Sequence, residues 1–367
     1  MSDRRQIGQL YIIGLQGPEL LAEESKFIIE NNIGGVILFD RNIVSPQQLH
    51  KLCSDIQSLR TKMPDRAPLF ISIDMEGGRV QRLKAPFTQW PPLGSFEELD
   101  STSLAFKMTQ AMGQELKAVG INLDFAPCID VLTNPENKVI GDRSAGKDPE
   151  HVGKMASALV RGYIKSGVLS CVKHYPGHGN TLLDSHEELP IEDTDLNTLQ
   201  ERELVPFKKA FRARAEMVMT AHIKFPKVDP DWPVTLSEKF IKNILRKDLR
   251  FSKIVITDDL DMRALRNHYS IEEIPVRALE ADCDMLLYCN EFDVPPQSIE
   301  AVEKAIANGR LNSDSINSKY QSVLSLKKRA LKDPDPLPFA EAAKIIAHPE
   351  HLKIAKAVFN KEIPEDI

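Results

Sequence analysis

The residues of this 367-residue chain best suited to chemistry lie in one short stretch, Lys173-His174-Tyr175-Pro176-Gly177-His178-Gly179-Asn180-Thr181, followed by Asp184-Ser185-His186. Three of the nine histidines and one aspartate fall within thirteen residues, and the glycines and proline break any helix or strand there. Three readings of this cluster stand side by side. Histidine and aspartate are zinc ligands, so His174, His178, Asp184 and His186 would suit a metal-dependent hydrolase. Asp184, two residues before His186, would orient that imidazole as an acid/base dyad. Alternatively, the histidines only hydrogen-bond backbone within an ordered loop. A second segment, Val255-Ile256-Thr257-Asp258-Asp259-Leu260-Asp261-Met262, crowds three carboxylates at the end of an apolar run. A carboxylate held there suits a nucleophile attacking an electrophilic carbon. Capping the next helix is the plainer duty, and Asp259 or Asp261 would serve it.

Eight apolar runs rich in Ile, Val, Leu and Phe supply the frame: Leu10–Leu15, Gly35–Phe39, Leu69–Ile73, Ile121–Ala126, Val168–Val172, Met217–Ala221, Ile254–Thr257 and Met285–Tyr288. Most are continuous rather than alternating, as strands covered on both faces are. Helical spacing recurs between them, over Pro46–Arg60 behind Ser45 as N-cap, Leu104–Val119, Glu150–Ser166, Asn197–Ala213 and Ser237–Leu249. Strand–helix alternation repeated this often predicts an α/β fold, a (β/α)8 TIM-type barrel with extra C-terminal helices. A doubly wound sheet would carry a glycine fingerprint after an early strand, and no GxGxxG is present. Polar residues gather just after the runs: Asp40, Asp74 with Glu76 and Arg79, Asp124 and Asp130, Lys173 and His174, His222, Asp258 and Asp259, and Asn290. In a barrel these positions share one face, where active sites lie. Helices are expected over Ser298–Ala307 and Asp314–Leu331, then a linker with three prolines at Asp333–Pro338, then a segment with a helical middle and a polar end that packs on the barrel or frays. The expected division is a catalytic barrel over residues 1–332 and a C-terminal extension over 333–367, to which no role is given.

Composition narrows the function. A net charge of −6 argues against a broad basic surface for nucleic acid. Hydrophobic residues at 42% and charged residues at 27% place the chain among globular proteins. Five cysteines with no CxxC make neither a disulfide framework nor a zinc-finger pattern. With no signal-peptide pattern and no apolar run of membrane-spanning length, a cytoplasmic protein without a membrane partner is expected. Oligomeric state is not legible at this level.

KHYPGHGNTLLDSH followed by ITDDLDM is similar to glycoside hydrolase family 3, in its bacterial β-N-acetylhexosaminidase branch of NagZ type. IDMEGGRVQR (Ile73–Arg82), INLDFAPCIDV (Ile121–Val131), IGDRS (Ile140–Ser144) and TAHI (Thr220–Ile223) resemble further family motifs, and the likeness runs from about Ile7 to Lys328. The His-bearing loop is specific, since ordinary β-glucosidases of the family lack it. Met75 stands where many relatives have Gln, and Asp142 where Glu is common. The resemblance implies a retaining exo-β-N-acetylglucosaminidase acting on peptidoglycan fragments in cell-wall recycling, with a small carbohydrate as partner and no cofactor or metal. It implies Asp258 as nucleophile, His186 as general acid/base and Asp184 as its partner. Asp74, Arg82, Arg143, Lys173 and His174 would contact the sugar, and His222 and Met262 would line the same pocket. Phosphate in place of water as acceptor remains an alternative, because a neutral histidine admits an anion more readily than a carboxylate does.

Overall fold

In the computed structural model, which describes residues 4–182, 185 and 188–365, each of the eight apolar runs contributes a barrel strand. These are β1 (Tyr11–Gly14), β2 (Gly35–Leu38), β3 (Phe70–Ile73), β6 (Leu123–Asp124), β7 (Leu169–Tyr175), β8 (Met217–Thr220), β9 (Ile254–Asp259) and β10 (Met285–Tyr288). All pair in parallel, each with its neighbour in the chain, and β10 closes on β1 with Tyr11 opposite Leu286. The expected (β/α)8 barrel is the observed one. Almost every strand residue is buried, because the barrel interior covers one face and the helices the other.

The helices follow their caps. Ser45 Oγ accepts the Gln48 N–H at 3.1 Å and starts Pro46–Ser58, as its spacing predicted. Thr102–Ala118 and Pro149–Ser166 also lie where expected. The helix predicted over Asn197–Ala213 is instead two, Leu196–Glu201 and Leu204–Arg212. Pro206 has no N–H for the Arg202 carbonyl, so one continuous ladder is impossible there.

Two features close the barrel from below and beside. Lys327, on the helix Ser313–Ala330, enters the base of the barrel, where Nζ donates to Gln9 Oε1 at 2.8 Å and to the Gly34 carbonyl at 2.6 Å, above the Phe70 ring. Beyond the proline linker the chain does not fray. Helices Phe339–Ile345 and Pro349–Asn360 lie against Thr102–Ala118, and Ile354, Ala355, Ala357 and Val358 join the barrel's hydrophobic core. Among the described residues, no helix is long and apolar enough to cross a membrane.

A short antiparallel hairpin that periodicity did not predict, β4 (Met75–Gly77) with β5 (Val80–Gln81), leaves the end of β3 and folds over the top of the barrel. Its turn needs Gly77 and Gly78, which adopt φ of 90° and 58°.

Candidate active site

A cavity of about 300 Å³ opens at the C-terminal ends of the strands. Asp74 follows β3, Glu76 lies on β4 and Arg82 follows β5. Lys173 and His174 stand on the last turn-ward residues of β7, Asp258 and Asp259 on those of β9, and Asn290 follows β10. Arg143 comes from the short turn Gly141–Arg143, and Phe39, Phe125, Met219 and Leu287 provide apolar wall. The expectation that Lys173 and His174 sit in a loop is corrected here. β7 runs on to Tyr175, so the strand itself aims them.

The charges are mutually bound. Lys173 Nζ donates to Asp74 Oδ1 at 2.6 Å and to Glu76 Oε1 at 2.8 Å. Arg143 clasps Glu76 with two bonds of 2.8 Å, a fork geometry suited to a carboxylate. Arg82 lies 3.7 Å from Asp74 Oδ2. Burial alone would raise the Glu76 carboxyl, but Arg143 and Lys173 hold it well below the usual carboxylate range. Burial would likewise lower the Lys173 ammonium, and Asp74 and Glu76 keep it above its ordinary value. These side chains therefore hold N–H and carboxylate groups in fixed positions at the cavity wall.

Arg143 also reaches His174, with Nη2 3.3 Å from Nε2. A guanidinium only donates, so Nε2 accepts and Nδ1 carries the proton toward Asp130 Oδ2, 2.7 Å away. Asp130 accepts in addition the His178 backbone N–H at 2.7 Å. Its carboxyl would rise on burial, but the neighbouring His174 and His178 bring it down to about 2. Cys128, Asp130 and His174 place a thiol, a carboxylate and an imidazole nitrogen within 4.8 Å of one another, donor types that zinc accepts. The Arg143 contact on Nε2 commits Nδ1 to the aspartate and sets a cation beside any metal there.

The ring of His178 is buried, its Nδ1 2.7 Å from Thr181 Oγ1 and its Nε2 3.1 Å from Ser185 Oγ. Burial first, then the neighbouring His174, pushes its pKa down to about 4, so it is neutral near pH 7. Ser185 lines the cavity. Asp184 and His186 lie outside the described residues.

The two adjacent aspartates differ. Asp258 is half-buried in the cavity wall, and its Oδ1 accepts the Asp259 N–H at 2.8 Å. Asp259 is buried and accepts the N–H groups of Asp261 at 3.0 Å and Cys289 at 3.1 Å. Burial and then the Asp261 charge raise its pKa to about 7. Asp259 thus anchors local backbone, but the expected helix-capping duty is not seen, because the next helix, Arg263–Arg266, starts from Met262 with no side-chain cap.

His222 and Met262 are corrections, since neither lines the cavity. His222 is buried behind it, with Nδ1 2.7 Å from Thr235 Oγ1 and Nε2 2.9 Å from the Asp259 carbonyl, so it braces the end of β9. Met262 turns into the core at the start of the short helix Arg263–Arg266. Glu76 and Asp130 were passed over as site residues. Glu76 carried a signal, its two-residue spacing from Asp74 beside two glycines. Asp130 carried only its place after the fourth run, since its partner His174 lies 44 positions away.

A larger cavity, about 850 Å³, lies at the opposite end of the barrel between the C-terminal segment and the helix Thr102–Ala118. It lacks the convergent ion pairs and the strand-end carboxylate of the upper one, so the chemistry is assigned to the smaller.

Residues 3–326 match the family described as glycosyl hydrolase family 3 N terminal domain. A β-hexosaminidase from Nitrosomonas eutropha is 36% identical over 277 residues, 74% of this chain and 78% of that protein. The structure of a family 3 β-N-acetylglucosaminidase from Paenibacillus sp. str. FPU-7 superposes with a TM-score of 0.94 at 35% identity, covering 99% of this chain and 69% of that one. NagZ from Neisseria gonorrhoeae, solved with N-trifluoroacetyl-D-glucosamine, gives 0.78 at 30% identity over 96% and 98%.

Proposed function

The chain belongs to glycosyl hydrolase family 3, and from that premise we propose that it is a retaining, exo-acting β-N-acetylglucosaminidase. The observation that carries this reading is the small strand-end cavity in which Arg143 and Lys173 are locked to Glu76 and Asp74, with Arg82 3.7 Å from Asp74, while Asp258 is presented from β9. Such a pocket suits one sugar ring, with fixed donors for its hydroxyls and N-acetyl oxygen.

In the first step Asp258 attacks the anomeric carbon, the glycosidic bond breaks, and His186 gives its proton to the departing oxygen. In the second, neutral His186 takes a proton from water, whose oxygen displaces Asp258 from the covalent intermediate. Asp184 orients the imidazole and stabilises it when charged. A histidine, with an ordinary pKa of about 6.5, needs little tuning for both duties. The cavity-lining position of Ser185, between Asp184 and His186, supports this assignment.

The substrate we infer, as the family resemblance implies, is a GlcNAc-terminated peptidoglycan fragment, GlcNAc β-1,4-linked to MurNAc or its anhydro form, in cytoplasmic cell-wall recycling; the N-trifluoroacetyl-D-glucosamine bound in the Neisseria gonorrhoeae neighbour supports the terminal sugar. The test is release of GlcNAc from an aryl N-acetylglucosaminide and from GlcNAc–anhydroMurNAc, with and without phosphate and with and without chelator. Free GlcNAc under all conditions is the expected result. A GlcNAc 1-phosphate product would replace hydrolysis by phosphorolysis, chelator-sensitive activity restored by zinc would point to metal chemistry, and no release from either substrate would overturn the reading.

A further inference from the structure

Glu115 is 2% exposed in the last turn of the helix Thr102–Ala118, where packing alone calls for no carboxylate. Its two oxygens take donors from two other segments. The Thr88 backbone N–H reaches Oε2 at 3.0 Å and the Thr88 hydroxyl reaches Oε1 at 2.5 Å. The Ala347 N–H arrives at Oε1 at 3.1 Å and His351 Nδ1 at 2.9 Å. His351 is buried too, and its Nε2 lies 3.1 Å from Gln114 Oε1.

From Thr88 the contacts lead directly to the cavity. Trp90, whose ring tilts against that of His351, donates its N–H to Gln81 Oε1 at 2.8 Å, and its carbonyl accepts the Gly78 N–H at 2.8 Å. The turn of the hairpin is pressed against this strap. A Cβ on Gly77 would fall 2.4 Å from the Pro91 carbonyl oxygen, and one on Gly78 2.6 Å from Pro92 Cβ. The hairpin bears Glu76, and Arg82 follows it, both in the cavity wall.

We propose that the C-terminal segment holds the β4–β5 hairpin in its binding geometry through Glu115, making His351 and Glu115 positioning residues for the sugar pocket. The segment has a separate apolar face, Ile354 and Val358, that accounts for simple packing. The polar contacts at Ala347 and His351 are directed instead at the one carboxylate that also anchors the strap. The kinetic consequence rests on the functional reading above; the structural one does not.

The test uses full-length His351→Ala, His351→Gln and Thr88→Val. His351→Ala removes the donor, His351→Gln returns an N–H toward Glu115, and Thr88→Val breaks the same chain of contacts from the strap side. Hydrogen–deuterium exchange over residues 75–92 should accelerate at least tenfold in His351→Ala and Thr88→Val, with the helix Pro46–Ser58 unchanged, and return toward wild type in His351→Gln. With an aryl N-acetylglucosaminide, KM should rise about tenfold in the first two while kcat stays within threefold. Folded variants with a lowered Tm but unchanged exchange over 75–92 would overturn the proposal and leave the segment a stabiliser only. If wild type does not cleave the glycoside, the functional reading fails while exchange still decides this one.

Discussion

Asp258 and Asp259 are adjacent at the irregular end of β9, and their hydrogen bonds divide their duties. Both line the cavity, but the Asp259 carboxyl is buried and spent on the N–H groups of Asp261 and Cys289, whereas Asp258 is only half-buried. Asp258→Asn should therefore lower turnover by at least ~10³-fold while binding persists, the scale seen for a residue acting within a catalytic unit. Asp259→Asn, neutral like the carboxyl that burial already favours, should cost about tenfold or less. Steady-state kinetics on both variants, with mass spectrometry of a 5-fluoro glycosyl label on the Asp258 peptide, checks this; comparable losses from the two would sink the nucleophile assignment. For His186→Ala the loss should depend on the leaving group. General acid catalysis is worth roughly 10²–10⁴-fold, so the disaccharide should suffer that loss in the first step. An activated aryl glycoside should still show rapid first-product release and then stall. Equal slowing of both substrates in pre-steady-state release would remove His186 from the acid role.

The loop after β7 is an element whose base is built into the barrel rim. Asn137 Nδ2 donates to the His178 carbonyl at 2.7 Å, and Asn180 Nδ2 to Glu192 Oε2 at 2.6 Å. Gly179 lies so close to the rim that an added Cβ would fall 1.7 Å from the Val131 carbonyl oxygen. Gly179→Ala must displace one backbone or the other. A misplacement of about 1 Å costs ~10² in rate when the displaced group belongs to the reacting constellation. We expect kcat/KM to fall by about that factor with little change in far-UV circular dichroism, and wild-type kinetics in this variant would show that the base does not position the loop.

Across the whole molecule, Lys327 joins the helix Ser313–Ala330 to the base of the barrel. Burial lowers its pKa to about 7, against about 10.4 for an exposed lysine. The folded state thus favours the neutral amine. Between those two values the unfolded chain binds the extra proton, so this group makes stability rise with pH, and its contribution is lost as pH falls toward 7. Lys327→Met should be less stable at pH 7, since it strands the Gln9 and Gly34 oxygens at about 1–3 kcal/mol. The gap from wild type should then widen by up to ~1 kcal/mol per pH unit between pH 7 and 9. Urea unfolding at pH 7, 8 and 9 measures it, and a gap independent of pH would mean the ammonium stays charged in the fold.

Local pattern by itself determined the eight strands, because a strand covered on both faces must be apolar throughout, and it determined most helices through their caps. It also put Asp74, Lys173, His174 and Asp258 on one face, since positions just past the runs of a parallel barrel share it, whereas Arg82 and Arg143 came only from the family motifs. Asp184 and His186 were legible only as a motif. What the chain could not reveal locally are contacts between distant residues. Whether His222 faces the cavity or braces the Asp259 carbonyl depends on the packing of β8 against β9. The place of the C-terminal segment shows only in the fold, in its apolar contacts and at Glu115, a helix acid with the same local pattern as any solvated one until Thr88 and His351, from 27 residues before it and 236 after, share its carboxylate.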